Sequence, residues 1–111
     1  GAVFRASQPH LFVTTGEKAG QTIPITRDGL TIGRSASNRL RFADPTISRI
    51  HATIMISRRA YYIRDEGSSL GTYLNGRQIP ANTPILIKEG DRIGIGNSNS
   101  FILRMNLRTK G

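Results

Sequence analysis

Residues that could take part in chemistry are concentrated in the stretch DPTISRIHATIMI, from Asp44 to Ile56. Ser48 and His51 are the residue types of a hydrolytic nucleophile and its general base. Ser48 and Arg49 are equally the types that hold a phosphate, through a hydroxyl and a guanidinium. A third interpretation is that the stretch is only the start of a β-strand.

Catalysis is the least supported of these interpretations. On an extended chain, residues three apart point to opposite faces, so Ser48 and His51 meet only if a turn intervenes. The sequence also lacks the nucleotide-binding pattern G-x-x-x-x-G-K-[ST]. We therefore expect no catalytic residue, no enzyme activity, no cofactor and no small-molecule substrate.

The charge of the chain indicates an anionic partner. Lys and Arg number 16 against 7 Asp and Glu, a net charge of +9, and 13 of the 16 are arginine. Such a surface attracts phosphorylated protein, nucleic acid or acidic lipid. Arginine favours geometric recognition of phosphate or carboxylate over a diffuse cationic coat. A solvated basic surface without a specific ligand is an alternative of about equal weight.

Length and composition restrict the class of protein. A chain of 111 residues is long enough for one domain with a single core. It has no apolar run approaching the ~20 residues of a membrane-spanning helix and no signal-peptide pattern. The absence of cysteine, with only His10 and His51 as histidines, argues against disulfides and against a zinc or other metal site. We expect a cytoplasmic location, or the cytoplasmic part of a larger protein. The first residue, Gly1 instead of methionine, indicates a piece of a longer chain.

Short apolar segments separated by Gly, Asn, Asp and Ser must position these residues. HLFVTT and QTIPIT flank a glycine-rich loop, and TYLNGRQI contains Asn75-Gly76 between apolar flanks, so each is predicted to be a hairpin. In FILRMNL, apolar residues alternate with Arg104 and Asn106. Ten or eleven such segments predict an all-β protein, an antiparallel sandwich or barrel.

Arg34 is the second candidate ligand of a phosphate. It directly follows a predicted strand that ends in Gly33, and a loop residue at a strand end can direct its guanidinium outward. Sequence alone does not bring Arg34 and Ser48 together. That requires a fold in which the loops after TIG and before HATI share one end.

Four motifs stand in a known order and spacing: GR at Gly33-Arg34, SRIH at Ser48 to His51, SSLGT at Ser68 to Thr72, and NG at Asn75-Gly76. None is specific alone, but together they resemble the forkhead-associated (FHA) domain. The resemblance extends from Leu11 to Leu107. It implies a β-sandwich of eleven short strands with recognition loops at one end. We assign the domain to residues 10–107 and, since chain ends are often poorly held, expect flexible ends at 1–9 and 108–111.

The resemblance implies recognition of phosphothreonine in a peptide. The partner would be a phosphothreonine-containing protein, either separate or within the same parent chain, and we expect the isolated domain to be monomeric. The implied roles are phosphate binding by Arg34, Ser48 and Arg49; peptide contact by Ser69, Leu70 and Asn75; and support of the loops by Gly33, His51, Gly71, Thr72 and Gly76.

Leu70 departs from the family pattern, which has an asparagine immediately before GT that commonly bonds the main chain of the bound peptide. Leucine cannot make this hydrogen bond, whose net value is about 0.5–1.5 kcal/mol. Either Ser69 or Asn75 supplies the contact, or Leu70 meets an apolar residue that follows the phosphothreonine.

Two other functions remain as alternatives. A phosphate-independent assembly module would use Leu70 and the apolar segment Ile85–Ile87. A nucleic-acid or anionic-membrane domain would use the net charge alone. Against the latter, Tyr61, Tyr62 and Tyr73 are not interleaved with basic residues, and no basic amphipathic helix is predicted.

Overall fold

A computed structural model describes residues 9–97 and 99–104, which form eleven β-strands. None of these residues is helical, so the described part of the chain contains no helix that could cross a membrane. The strands are β1 His10–Thr15, β2 Thr22–Pro24, β3 Leu30–Gly33, β4 Leu40–Arg41, β5 Ala52–Ser57, β6 Ala60–Asp65, β7 Thr72–Leu74, β8 Arg77–Gln78, β9 Ile85–Ile87, β10 Arg92–Ile95 and β11 Asn99–Arg104.

The strands form two sheets, and this confirms the predicted β-sandwich. One sheet has six strands in the order β2-β1-β11-β10-β7-β8, and the other has five in the order β4-β3-β5-β6-β9. Neighbours pair antiparallel except β3 and β4, which are parallel. The parallel pair was not predicted. The loop between these strands turns back on itself, and its Arg39 amide bonds Thr31 Oγ1 at 2.9 Å.

Alternation along the strands creates the core between the sheets. In β5 and β6, Ile54 and Ile63 are paired in register and fully buried, while in β10 Ile93 and Ile95 are buried on either side of Gly94. Phe42 and Phe101 add an aromatic contact with ring centroids 5.7 Å apart. Complete burial of each such side chain contributes about 1.5–3 kcal/mol, so the loops at both ends are built on a rigid frame.

Both predicted hairpins are present. β1 pairs with β2, and β7 pairs with β8 through Asn75-Gly76. These two residues have φ values of 51° and 85°, the positive pair that a two-residue type I′ turn requires. In the predicted FILRMNL strand Phe101 is buried; the side chain of Leu103 and residues 105–107 lie outside the described set.

The predicted flexible ends, residues 1–9 and 108–111, also lie outside it except for Pro9. The Pro9 carbonyl accepts a hydrogen bond from the Ile25 amide at 2.9 Å.

Strand direction separates the connections into two groups. The upper end of the sandwich carries the loops 34–39, 42–51 and 66–71, because β3 ends there and β5 and β7 begin there. The lower end carries the turns 26–29, 57–60 and 75–76. The loops after TIG and before HATI therefore share one end, as a site containing Arg34 and Ser48 requires.

The turn between β5 and β6 is strained. Ser57 pairs with Ala60, so Arg58 and Arg59 alone form the turn, and their φ values are 52° and 67°. Left-handed backbone costs an L-residue other than glycine roughly 1–2 kcal/mol, and Asn-Gly is the preferred pair in such turns. Two arginines here are unfavourable for the fold.

The double substitution Arg58→Asn with Arg59→Gly should relieve this strain. We expect the free energy of unfolding to rise by about 1–2 kcal/mol, measured by urea denaturation. The control, Arg58→Gln with Arg59→Gln, removes the same charges but keeps the strain and should leave stability nearly unchanged. Equal stabilisation by both pairs would assign the effect to charge instead.

Candidate functional site

Arg34 is anchored at the upper end of the sandwich by its own backbone and side chain. Its amide donates to the Ser48 carbonyl and its Nε donates to the Ile47 carbonyl, both at 2.9 Å. Among the described residues, no hydrogen bond or ion pair engages its two Nη groups. The half-buried guanidinium is thus fixed in direction while its fork of N–H donors stays available to an anion.

The loop that begins at Arg34 is bound tightly to the loop before β5. The Arg49 carbonyl accepts from the Ser35 amide at 3.0 Å and from Asn38 Nδ2 at 2.7 Å. A side chain at Gly33 would overlap the same Arg49 carbonyl, so glycine allows this approach. Asn38 is buried and was not predicted. Its Nδ2 also donates to the nearby Ser35 carbonyl at 2.9 Å, but the Arg49 carbonyl lies 11 positions away, a separation that local pattern does not reveal.

Ser48 lies beside Arg34 and joins a third loop. Its Oγ accepts a hydrogen bond from the Ser69 amide at 2.9 Å. Because a hydroxyl both accepts and donates, the Ser48 O–H is still able to donate to a ligand. The structure therefore brings together Arg34, Ser48 and Ser69, which were predicted as site residues.

His51 is fully buried beneath these loops. Its Nδ1 lies 3.1 Å from the Ser48 amide, which donates, and its Nε2 lies 3.0 Å from the Gly71 carbonyl. Since a carbonyl only accepts, Nε2 carries a proton. Since the Ser48 amide only donates, Nδ1 carries none, and the ring is therefore neutral. Burial lowers the pKa of His51, against the raising effects of the Gly71 hydrogen bond and the Asp65 charge.

Ser48 and His51 do meet, because the intervening turn that such a contact requires is present. The chain turns between residues 45 and 50 instead of running extended. The contact uses the Ser48 backbone amide, however, and both ring nitrogens are engaged. The imidazole has no free lone pair with which to accept a proton from the Ser48 hydroxyl, so the pair is not arranged as nucleophile and base.

The letters GSSLG at residues 67–71 match the nucleophile-elbow pattern G-x-S-x-G. That motif needs a strand, a sharp turn and a helix. Here the segment connects strands β6 and β7, with no helix after it. It is a loop of the upper end.

Asp65, which was not predicted, holds the loop 66–71 in shape. Its Oδ1 accepts from the Ser68 and Thr72 hydroxyls, both at 2.6 Å, and its Oδ2 accepts from the Gly67 and Ser68 amides at 3.0 Å. Burial acts to raise the pKa of Asp65, but these hydrogen bonds together hold that pKa below its ordinary value. An Asp before Gly-Ser is a turn-forming pattern, the available sequence signal.

Asp44 plays the corresponding role in the loop 42–51. Its Oδ1 accepts from the Thr46 hydroxyl at 2.6 Å and the Thr46 amide at 2.8 Å, and its Oδ2 accepts from Asn99 Nδ2 at 2.9 Å. The two Thr46 hydrogen bonds lower the pKa of Asp44, and the Asn99 hydrogen bond adds to this effect against burial. A side chain at Gly96 would overlap Thr46 and Ile47, so the loop rests directly on the end of β10.

The three loops enclose an open groove of about 700 Å³. Ile50 and Leu70 are 57% and 46% exposed, although both are large apolar side chains. No carboxylate lines the groove, and its cations are Arg34 and Arg49. Its lining consists of Arg34, residues 45–50, Ser69 and Leu70.

Asn75 does not belong to this groove, which corrects its prediction as a peptide contact. It lies at the lower end, where its Nδ2 donates to Asp91 and its Oδ1 accepts from the Arg92 amide, both at 3.0 Å. Strand β7 separates it from Leu70. Gly76 forms the turn beside it with φ 85°. By contrast, Gly71 lies in the upper loop with φ 88°, and Thr72 begins strand β7 at the same end.

No group of three or more His, Asp or Glu residues is placed to bind a metal ion within residues 9–97 and 99–104.

Comparison with known proteins identifies this arrangement. The family model of the FHA domain matches residues 30–96. The chain belongs to the FHA-domain family. It is 40% identical over 61 residues to Protein FraH of Nostoc, covering 53% of this chain and 21% of that protein. It is 35% identical to the oxoglutarate dehydrogenase inhibitor of Corynebacterium efficiens, covering 78% of this chain and 58% of that one.

Solved FHA structures share the fold. The MEK1 FHA domain in complex with a HOP1 phosphothreonine peptide is 27% identical, with a TM-score of 0.78 and coverage of 90% of this chain and 98% of that chain. The chain spans only 16–58% of the length of the first curated relatives that it matches. The similarity therefore concerns only part of each of those proteins.

The lowered pKa of His51 makes stability depend on pH. Unfolding restores the ordinary His pKa of about 6.5, so the stabilisation is complete above that pH and is lost as pH falls from about 6.5 toward the folded pKa. We expect the free energy of unfolding to fall between pH 7.5 and 5.5, by up to about 1.4 kcal/mol per pH unit. His51→Gln should abolish this slope in urea denaturation.

His10→Gln is the matched control, since it removes the other histidine and should keep the slope. A wild-type protein equally stable at both pH values would contradict the assignment.

Proposed function

We propose that this FHA domain binds phosphothreonine-containing peptides in the groove of the upper end. The observation that carries the proposal is the placement of the Arg34 Nη groups and the Ser48 hydroxyl on one groove without a lining carboxylate. The MEK1 FHA domain, with its phosphothreonine peptide, supports it by similarity. A phosphorylated residue brings about −1.5 to −2 charges, which suits this surface.

The phosphate-binding residues in this proposal are Arg34, Ser48 and Arg49. Arg34 would pair two phosphate oxygens, because its Nε is already bound to Ile47 and its orientation is fixed. Ser48 would donate its hydroxyl. The exposed Arg49 adds a second positive charge at the mouth of the groove, where it would speed encounter with the phosphopeptide.

The peptide chain on either side would contact Ser69, Leu70 and Ile50. Leu70 takes the position at which the family usually has asparagine, and it offers no hydrogen bond to the peptide backbone. Leu70 and Ile50 instead expose apolar surface in the groove. Burial of an aliphatic peptide side chain against them would offset the missing hydrogen bond, since each buried CH₂ contributes about 0.8 kcal/mol.

In this proposal the domain comprises residues 10–107 and acts as a cytoplasmic interaction module without a catalytic role. Its partner is a phosphothreonine-containing protein, in trans or within the parent chain. The parent protein's own activity would be carried by other parts of that protein.

Substitution of Arg34 tests the proposal. Each charge-assisted hydrogen bond contributes about 1.5–3 kcal/mol, so Arg34→Ala should weaken binding of a degenerate phosphothreonine peptide pool at least about thirtyfold. Removal of the phosphate should have a similar effect, and Ser48→Ala a smaller one, about tenfold. Arg77→Ala, at the lower end of the sandwich, removes the same charge and is the control. Binding unaffected by Arg34→Ala, or by phosphatase, would refute the proposal.

Leu70 should determine which phosphopeptides are preferred. We expect the wild-type domain to enrich aliphatic residues at one position after the phosphothreonine in a randomised peptide library. Leu70→Asn should reduce that enrichment by roughly 1 kcal/mol in relative affinity while binding still requires phosphate. Identical residue preferences for both proteins would show that Leu70 does not contact the peptide.

A phosphate-independent assembly function is the second candidate, and one observation favours it. On the outer face of the five-stranded sheet, Met55, Tyr62 and Leu86 lie side by side on three adjacent strands, and Leu86 is 53% exposed. In the predicted segment Ile85–Ile87, however, Ile87 belongs to the core. A module of this kind would bind its partner equally well after Arg34→Ala and after phosphatase treatment. Nucleic-acid binding would instead be lost steeply with salt.

A further inference from the structure

A second pocket lies at the lower end of the sandwich, remote from the groove. It has a volume of about 620 Å³, and its floor is apolar. Ile25 is 1% exposed, and Ile56 and Tyr61, which are paired in register on β5 and β6, pack against the core. The pocket therefore opens between the two sheets toward the core. Pro9 and Thr26 complete its wall.

The rim of this pocket is basic. Arg27 and Arg59 line it, both are exposed, and neither forms an ion pair within the described residues. Arg39 reaches the same rim, where its Nη1 donates to Thr26 Oγ1 at 3.4 Å. The turns 26–29 and 57–60 together contain three arginines and a single acid, Asp28. An apolar floor beneath unpaired guanidinium groups favours a ligand with both apolar and anionic parts.

One of the rim arginines lies in the strained turn between β5 and β6. Arg59 lines the pocket from a left-handed backbone conformation, with φ 67°. Asn-Gly would adopt this turn without strain, but it would remove the Arg59 guanidinium from the rim. Strain of this kind persists at functional sites, where the side chain it positions has a use.

We propose that the lower-end pocket binds an acidic peptide segment, unphosphorylated, that inserts one aliphatic or aromatic side chain between the two sheets. The inserted side chain would cover Ile56 and Tyr61, and flanking carboxylates would pair with Arg27 and Arg59. The segment would come from a partner protein.

The pocket fits a peptide better than a membrane surface. Membrane docking needs apolar side chains that project from the protein. The large hydrophobic residues that are exposed in the described chain are Phe12, Ile50, Leu70, Tyr73 and Leu86, and none of them lines this pocket. Its apolar residues are recessed, so the projecting side chain must belong to the ligand.

Fluorescence anisotropy with two labelled peptides tests the proposal. The first carries a leucine flanked on both sides by aspartates and glutamates, and the second has serine in place of that leucine. We expect saturable binding of the leucine peptide, at least about fivefold tighter than the serine peptide, because only leucine buries apolar surface. Arg34→Ala should not affect this binding, so the test is independent of the phosphothreonine proposal.

Two substitutions in the same turn give a matched comparison. Arg58→Asn and Arg59→Asn each remove one charge, and asparagine tolerates the left-handed backbone. Arg59→Asn and Arg27→Gln should each weaken binding of the leucine peptide about fivefold, the loss expected for one exposed ion pair. Arg58→Asn, whose side chain does not line the pocket, should change it less than about twofold.

Three results would overturn the proposal: no saturable binding of the leucine peptide, equal affinity for both peptides, or equal effects of Arg58→Asn and Arg59→Asn. The last measurement, sedimentation with phosphatidylserine-containing vesicles, tests whether the pocket binds a membrane. Vesicle binding that Arg59→Asn abolishes, in the absence of peptide binding, would assign the pocket to membranes instead.

Discussion

The buried imidazole of His51 is the contact on which the upper end of the molecule depends. One ring nitrogen accepts from the Ser48 amide and the other donates to the Gly71 carbonyl, so a single side chain connects the loops 42–51 and 66–71 from below. Because the ring is fully buried, loss of either hydrogen bond leaves a polar group unsatisfied at a cost of roughly 1–3 kcal/mol. The neutral ring can make both bonds; the protonated ring can only donate.

The remaining supports act in the same way on neighbouring segments. Asp65 and Asp44 each accept hydrogen bonds with both carboxylate oxygens, from hydroxyls, amides or an asparagine side chain. Arg34 donates a hydrogen bond from its Nε to the Ile47 carbonyl. The groove is thereby formed before a ligand arrives, and little conformational entropy remains to be lost on binding. Because their oxygens are occupied in this way, Asp44 and Asp65 form no ion pair with Arg34 or Arg49 among the described residues.

Several features that depend on residues close together in the sequence were predicted correctly. The strands, the Asn75-Gly76 turn and the position of Arg34 at a strand end could all be predicted from alternation and turn residues, and the shared end of the Arg34 and Ser48 loops followed from the family resemblance. The Ser48–His51 contact could not, because it depends on a turn formed by long-range supports. Asn38 escaped prediction because its Arg49 partner lies on another loop, 11 positions away. Asp65 was missed although its partners, Gly67, Ser68 and Thr72, are close in sequence, because a turn-forming Asp does not by itself show that its carboxylate is buried. Asn75 was predicted to lie at the peptide-binding end because spacing in the sequence does not show at which end of the sandwich a turn residue lies.

The exposed pair Ile50 and Leu70 has a consequence for how this domain changes over evolutionary time. The residues that shape the loops, His51, Asp65 and Asp44, use their side chains in hydrogen bonds within the protein, whereas Ile50 and Leu70 project from the same loops into solvent. We expect a mutation at either of the two to alter the exposed surface of the groove without disturbing the frame. Under the proposed function, the preference for particular peptides can therefore change while the fold stays the same. Duplicated copies of such a domain can acquire new partners through single substitutions.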